Sequence, residues 1–309
     1  MHPPSSPNRS QRVFHAAAVS LWIQIRSWWV ILKRTAEEWV EDNVLRLSAA
    51  LAFYTMLSLS PLLMLVLMGC GWLFGADAVQ GELDTQLRGV MGPQAAAAAQ
   101  AMVSSAATSD SGLLAGITSL IAMLFGATGV FGEIKDALNT MWRVNPPVDH
   151  PALRTWVRTR LLSFGMVVVV MFLLVASLMI STTISFAATY FSEGYWIAPQ
   201  FWGAATFAAG FAMEIVLFAL LFVVLPDVRI PISDALWGAT ITALLFEIGK
   251  WGLAWYLGRE STASAYGAAG SLMLVMLWTY YTAVIVLTGA EFTQVRSKVR
   301  NSSFKSTTQ

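Results

Sequence analysis

Charge is what this sequence has least of. Of its 309 residues, only 12% are Asp, Glu, Lys or Arg, about half the roughly 25% found in soluble globular domains. So few charges cannot solvate a sphere of this size, and lipid is the alternative solvent. Cysteine is nearly absent. Cys70 alone excludes an internal disulfide framework and a zinc cluster built on cysteines, and within its apolar run it reads as a small buried hydrophobe. The three histidines, His2, His15 and His150, are scattered over the N-terminal arm and a connection, with no metal-ligand spacing. A net charge of +1 supplies no basic field for phosphate, which excludes a nucleic-acid partner. There is no G-x-S-x-G elbow, no Walker A loop and no convincing strand for a Gly-rich cradle to follow. The expectation is a non-enzymatic protein without cofactor or metal. No cleavable signal peptide is expected either. The first 45 residues carry Arg9, Arg12, Arg26, Lys33 and Arg34 without a small-residue cleavage site, so membrane helices must direct insertion.

Long apolar runs are what the sequence has in place of charge. Hydrophobic residues make up 56% of it, and the mean hydropathy is +0.62. Six runs stand out, at about 46–74, 112–132, 161–187, 201–225, 233–257 and 268–292. Each exceeds the ~20 residues a helix needs to cross ~30 Å of hydrocarbon. The predicted fold is therefore an all-α integral membrane protein with six transmembrane helices in a membrane domain spanning 43–295. Ser60-Pro61 falls inside the first run, where a kink is expected.

The flanking segments differ. Residues 1–12 are rich in Pro and Ser and are expected to be a disordered cytoplasmic tail. Residues 13–42 hold Arg26, Lys33, Arg34, Glu37 and Glu38, too many charges to cross hydrocarbon. Leu21, Ile25, Trp28, Leu32 and Trp39 follow helical spacing, with Trp22 and Trp29 beside them. This predicts an interfacial amphipathic helix anchored by tryptophans. The connection 75–111 carries Asp77, Glu82, Asp84 and Asp110 and the stretch Ala95–Ala99. It is expected to be a solvated loop with a short helix, with a packed cap as the alternative. Residues 296–309 are expected to be a cytoplasmic tail.

Lysine and arginine set the orientation. Six spans place sixteen of these residues on one side and only Arg88 and Arg259 on the other, with Lys250 inside a span. The rich side is then cytoplasmic, with both termini on it, as in a multi-pass protein of a bacterial inner membrane whose natural partners are membrane lipids.

Three charges interrupt the apolar runs. Glu214 lies 12 residues before Pro226, or ~18 Å at a rise of ~1.5 Å. Glu247 lies 14 residues beyond Ser233, or ~21 Å by the same rise. The two spans form an antiparallel hairpin, so both acids sit near one depth, close to the bilayer midplane. Lys250 is one turn beyond Glu247 on the same face. Such charges cost ~2.5–3.5 kcal/mol each on insertion scales and persist only when paired or facing water. Two readings follow: a polar site on a transport path, or a Glu–Lys–Glu bridge that locks the hairpin. Tyr280 and Tyr281, flanked by Thr279 and Thr282, either line a path or hydrogen-bond neighbouring helices. Gly126, Gly129 and Gly132 flatten one helix face for close packing. Glu133 and Glu291 fall near span ends rich in cations, where interface ion pairs are expected.

Several stretches carry a family resemblance. The first span reads LSAALAFYTMLSLSPLLML, and the second ends in GEIKDALNTMWRV. The fourth and fifth read LLFVVLPDVRIPISDALWGATITALLFEIGKWGLAWY, and the last reads SAYGAAGSLMLVMLWTYYTAVIVLTGAEFTQV. Together, over about residues 35–295, they resemble the YihY/virulence factor BrkB family of bacterial inner-membrane proteins. The resemblance implies a six-helix membrane fold, an envelope-related role, and transport of a lipid or another amphipathic substrate. Maintenance of the envelope without transport is the alternative. Its motif positions fall on Pro61, Asp227, Arg229, Asp234, Glu247, Gly249, Lys250, Gly289 and Glu291. Some members once carried a ribonuclease BN label, which would ask for a metal cluster on the cytoplasmic side; none is expected from this sequence.

Overall fold

The computed structural model describes residue 26 and residues 28–107, 113–144, 152–192, 199–257 and 270–307. The expected tail 1–12, Trp22 and the three histidines lie outside these. Among the described residues all regular structure is helical: α1 (residues 28–41), α2 (Val44–Phe74), α3 (Ala76–Ala107), α4 (Leu113–Met141), α5 (Ala152–Ser192), α6 (Pro199–Val224), α7 (Ile232–Leu257) and α8 (Gly270–Thr307). Helix is the natural solution for apolar runs this long, because it satisfies every backbone N–H and C=O within the segment.

Five helices are long and apolar enough to cross a membrane: Val44–Trp72, Trp156–Thr189, Gln200–Val224, Ile232–Leu253 and Leu272–Arg300. The expected span 112–132 becomes α4, which does not meet that standard among the described residues. It nonetheless lies along α2. Gly126 faces the Pro61 ring and Gly129 faces the Ser58 hydroxyl, with distances of 2.8 and 2.7 Å from where a Cβ would stand. Gly132 has open space beside it and takes no part in this packing. Helix α2 continues through Pro61 without a break.

One expectation is corrected. Within the connection 75–111, the described residues 75–107 are not a solvated loop. They form α3, broken at Gly92, whose φ of 82° and ψ of 164° suit a residue without Cβ. Asp84 and Gln100, each eight residues from Gly92, are hydrogen-bonded at 2.6 Å, so the two halves fold on one another. Ala95, Ala96 and Ala99 are fully buried. Small side chains let backbones approach closely, which hydropathy does not register. The hairpin is tied to the bundle by Ser60 Oγ donating to Met102 O (3.1 Å) and Trp278 Nε1 donating to Val90 O (2.9 Å). Ser60 lies near the middle of α2, so the hairpin packs into the bundle rather than over its end. At the C-terminal side, α8 continues helically as far as Thr307.

Helix α1 packs through Trp28, Ile31, Thr35 and Trp39. Trp28 stacks on Phe292 and meets Trp237 edge-on, and Trp39 Nε1 donates to Thr288 Oγ1 at 3.0 Å. Leu32 and Trp29 are exposed. The packed face is thus rotated from the one that Leu32 would mark.

Helices α7 and α8 meet through a reciprocal contact. Thr242 of α7 fills the space a Cβ on Gly289 would need, and Thr293 of α8 does the same at Gly238. Each hydroxyl donates to its own helix, Thr242 to Gly238 O and Thr293 to Gly289 O, both at 2.8 Å.

Candidate functional site

The α6–α7 hairpin is held at its turn and within its length. At the turn, Asp227 Oδ2 accepts from Lys135 (2.8 Å) and Asn139 (3.0 Å), its Oδ1 is ion-paired with Arg158 at 3.0 Å, and its own N–H donates to Asn139 Oδ1 at 2.8 Å. Burial favours the neutral acid, but hydrogen bonds from Lys135 and Asn139 and the charges of Lys135 and Arg158 outweigh it, holding the carboxyl below its ordinary range. Asp234, fully buried in the first turn of α7, pairs with Arg296 (3.3 Å) and Arg300 (2.9 Å) of α8. Arg296 also lies over the rings of Trp28 and Trp237. Arg229 is exposed.

Within the hairpin, one lysine joins two acids. Lys250 Nζ lies 3.0 Å from Glu214 Oε1 and 2.6 Å from Glu247 Oε1. All three side chains are largely buried, at 18, 18 and 15% exposure for Lys250, Glu214 and Glu247. They point inward from lipid-length helices, which is where intramembrane charges are tolerated. The balance within the group is one cation to two carboxylates. Glu214 Oε2 is buried and accepts no hydrogen bond. Lys250 also sits 5.4 Å from the centroid of Phe246, whose ring touches Phe218 of α6 and Trp278 of α8. Because Trp278 bonds Val90, the broken α3 hairpin packs next to the aromatic wall of this site.

Tyr281 packs its ring on Gly249, filling the space of a Cβ there. It therefore stands beside Lys250 on the α7–α8 seam. Tyr280 is half-buried, with no contact that ties it to the three charges among the described residues. Thr279 neither lines a path nor crosses to another helix, since its hydroxyl bonds Val275 O and Met276 O of its own helix. The hydroxyl of Thr282 is buried and without a partner among the described residues.

Glu291 corrects a sequence expectation. It makes no interface ion pair. It is fully buried, and neither carboxylate oxygen has a hydrogen-bond partner among the described residues. The groups facing it are Glu38 and Asp42, and one ligand atom from each of the three acids lies within 4.8 Å of the others. The sequence reading did not bring these three acids together.

A separate groove of about 320 Å³ lies between α4 and α5. Its walls are apolar, including Leu124, Phe125, Trp156, Leu161 and Phe164, with Arg160 at its edge. Arg160 donates to Thr128 Oγ1 at 2.9 Å and lies over the Phe125 and Trp156 rings.

The family model described as "Virulence factor BrkB" matches residues 35–309. Among curated proteins, the chain is 32% identical over 262 residues to a UPF0761 membrane protein of Alkalilimnicola ehrlichii, covering 84% of this chain and 56% of that one. It is 30% identical over 269 residues to a UPF0761 membrane protein of Xanthomonas campestris pv. campestris, covering 84% and 59% respectively. A third, from Xanthomonas oryzae pv. oryzae, is 31% identical over 261 residues, covering 81% and 57%. The chain thus spans under two-thirds of the length of these relatives. No solved structure matches it. With the family model running across nearly all of the described helices, this multi-pass membrane protein belongs to the virulence factor BrkB family.

Proposed function

We propose that the protein moves a lipid or another amphipathic molecule across a bacterial inner membrane, with Glu214, Glu247 and Lys250 as the polar element of its path and with both termini in the cytoplasm. The observation that carries this reading is the charge imbalance inside the bundle: two carboxylates share one ammonium, and Glu214 Oε2 is left without a donor. A bridge whose only task was to lock two helices would gain nothing from a second acid, because a stranded buried charge is costly. A group that exchanges a proton, or engages a passing headgroup, has use for it. Two further features support the reading. A helix pair broken at Gly92 packs into the bundle, and interrupted helices protected by protein are a recurring device of transporters. The α4–α5 groove sets Arg160 beside apolar walls, a pairing that suits an anionic headgroup with an acyl chain. The reading assigns no bond-breaking step.

A second reading rests on the short distances from Lys250 to both acids. These would let the group serve as a structural clamp in a protein that maintains the envelope without transport. Reconstitution of wild type and Glu247→Gln into liposomes with labelled phospholipids separates the two. Transport predicts normal yield and melting for the variant with loss of lipid movement. A clamp predicts lower yield or melting, with any function tracking folded protein. Wild-type liposomes that move none of the lipids tested would count against transport of that class.

A further inference from the structure

Just past the middle of α8 (Gly270–Thr307), at Glu291, three acids converge where sequence led one to expect cations. We propose that Glu38, Asp42 and Glu291 hold one divalent cation of the oxygen-preferring class, Mg²⁺, Mn²⁺ or Ca²⁺.

The first support is Glu291 itself. It is fully buried, aimed at the other two acids, and neither oxygen has a donor. A bare carboxylate in that position needs a positive partner or a proton. The cations nearest the cluster pair with Glu38, Glu41 and Asp42 rather than with Glu291. Arg143 Nη2 lies 3.1 Å from Glu38 Oε2, 3.1 Å from Glu41 Oε1 and 3.6 Å from Asp42 Oδ1. Lys298 Nζ lies 3.3 Å from Glu38 Oε1. Neither pairs with Glu291 among the described residues.

The second support is charge balance. Glu38, Glu41, Asp42 and Glu291 bring four negative charges, while Arg143 and Lys298 bring two positive ones. The excess of two negative charges is what a single divalent ion neutralises. Asp42 Oδ2, the oxygen not facing Arg143, is likewise buried without a partner.

The third support is local sequence. Glu38 and Asp42 are four residues apart and fall in phase with Trp28, Ile31 and Thr35, the residues by which α1 packs on the bundle. These two acids therefore lie on the packed side of α1 rather than its solvent side. A donor set made only of carboxylate oxygens favours hard cations over zinc, which prefers nitrogen and sulfur alongside oxygen. Side-chain exposure falls from 23% at Glu38 to 11% at Asp42 and to zero at Glu291, so the site opens toward solvent at Glu38, where water can complete the coordination. The bound ion would tie α1 to α8.

The test uses the purified full chain in detergent with Mn²⁺ as the probe, followed by the EPR signal of free Mn²⁺. Wild type should bind one Mn²⁺ per chain, displaced by excess Mg²⁺ or Ca²⁺. Glu291→Gln and Asp42→Asn should each weaken binding by at least about tenfold, the scale on which losing a group that supports a metal site acts. Glu37→Gln, at an exposed residue paired with Lys33 and outside this charge set, should bind like wild type. If Glu291→Gln does not fold, Asp42→Asn carries the comparison. The proposal is overturned if wild type shows no stoichiometric Mn²⁺ binding, or if both variants bind as wild type does. It is equally overturned if wild type ignores Mn²⁺ while Glu291→Gln melts at the wild-type temperature, because Glu291 would then be a neutral acid.

Discussion

Thr242 of α7 occupies the space that a Cβ on Gly289 of α8 would need, and Thr293 of α8 mirrors it at Gly238 of α7. The two helices are thereby brought close enough for each to present a glycine to the other's threonine. This seam carries the inner wall of the charged site, because Gly249 and Tyr281 continue it one layer further along.

The first prediction concerns that seam. Gly289→Ala and Gly238→Ala each force a methyl against a threonine hydroxyl whose rotamer is held by its bond to its own helix. Overpacking of this kind costs about 1–3 kcal/mol. Each variant should melt below wild type in detergent. Pairing Gly289→Ala with Thr242→Ala should recover part of the loss, since the second change removes the hydroxyl while the Cβ of residue 242 stays 3.0 Å away. Melting curves of the two singles and the double check this, and additive losses would mean the contact is not the cause.

The second prediction concerns Lys250. Lys250→Met leaves Glu214 and Glu247 adjacent and without their cation. Breaking a buried pair by removing one partner costs about 3–5 kcal/mol, somewhat less here because the groups are not fully sealed from solvent. Lys250→Met with Glu247→Gln removes one of the two stranded charges. The double variant should therefore be produced and melt better than the single one. A double variant worse than Lys250→Met would show that the three groups are not coupled through the contacts at 3.0 and 2.6 Å.

How much of this was legible in the sequence depends on which physical signal each element leaves. Helices α2, α5, α6, α7 and α8 lie where long apolar runs place them, because lipid-length hydropathy is a strong signal. The depth match of Glu214, Glu247 and Lys250 also follows from counting along a hairpin with a short turn. Helix α3 left no such signal. Its buried surface is made by Ala95, Ala96 and Ala99, whose value lies in close approach rather than in hydropathy. Glu291 was misread for a different reason. Cations are near it in sequence, but α1 folds across and presents Glu38 and Asp42 instead. A clue was available: those acids keep the spacing of Trp28, Ile31 and Thr35, so the face they share was destined for packing.

The third prediction is a pH dependence at the α6–α7 turn. The folded-state carboxyl of Asp227 lies below its ordinary value of 3.8. Its contribution to stability is therefore complete above the unfolded value and is lost as the pH falls through the folded one. Wild type should show a steepening loss of stability as the pH falls below about 4. Asp227→Asn should be less stable at neutral pH, because it leaves Lys135, only 3% exposed, without its carboxylate. The variant should also show a shallower acid limb. Melting temperature measured from pH 7 down to pH 3 distinguishes the two, and parallel curves would remove Asp227 from the account.

The last prediction settles the orientation and the status of α4 together. The end of the bundle that holds Lys33, Lys135, Arg143, Arg158, Arg296 and Arg300 should face the cytoplasm, since lysine and arginine are retained there. Helix α4 is the uncertain crossing in a count of six. It lies against Ser58 and Pro61, beside the middle of α2, and is expected to cross the bilayer alongside it. Single cysteines at three exposed positions, in a Cys70→Ala background, report on both points: Lys33 (67% exposed), Arg88 (49%) and Arg158 (65%). With a membrane-impermeant thiol reagent on intact spheroplasts, Arg88→Cys should be labelled. Lys33→Cys and Arg158→Cys should react only after the membrane is disrupted. Labelling of Lys33→Cys but not Arg88→Cys in intact spheroplasts would invert the orientation. Labelling of Arg158→Cys together with Arg88→Cys would mean that α4 does not cross, leaving five spans and the two termini on opposite sides.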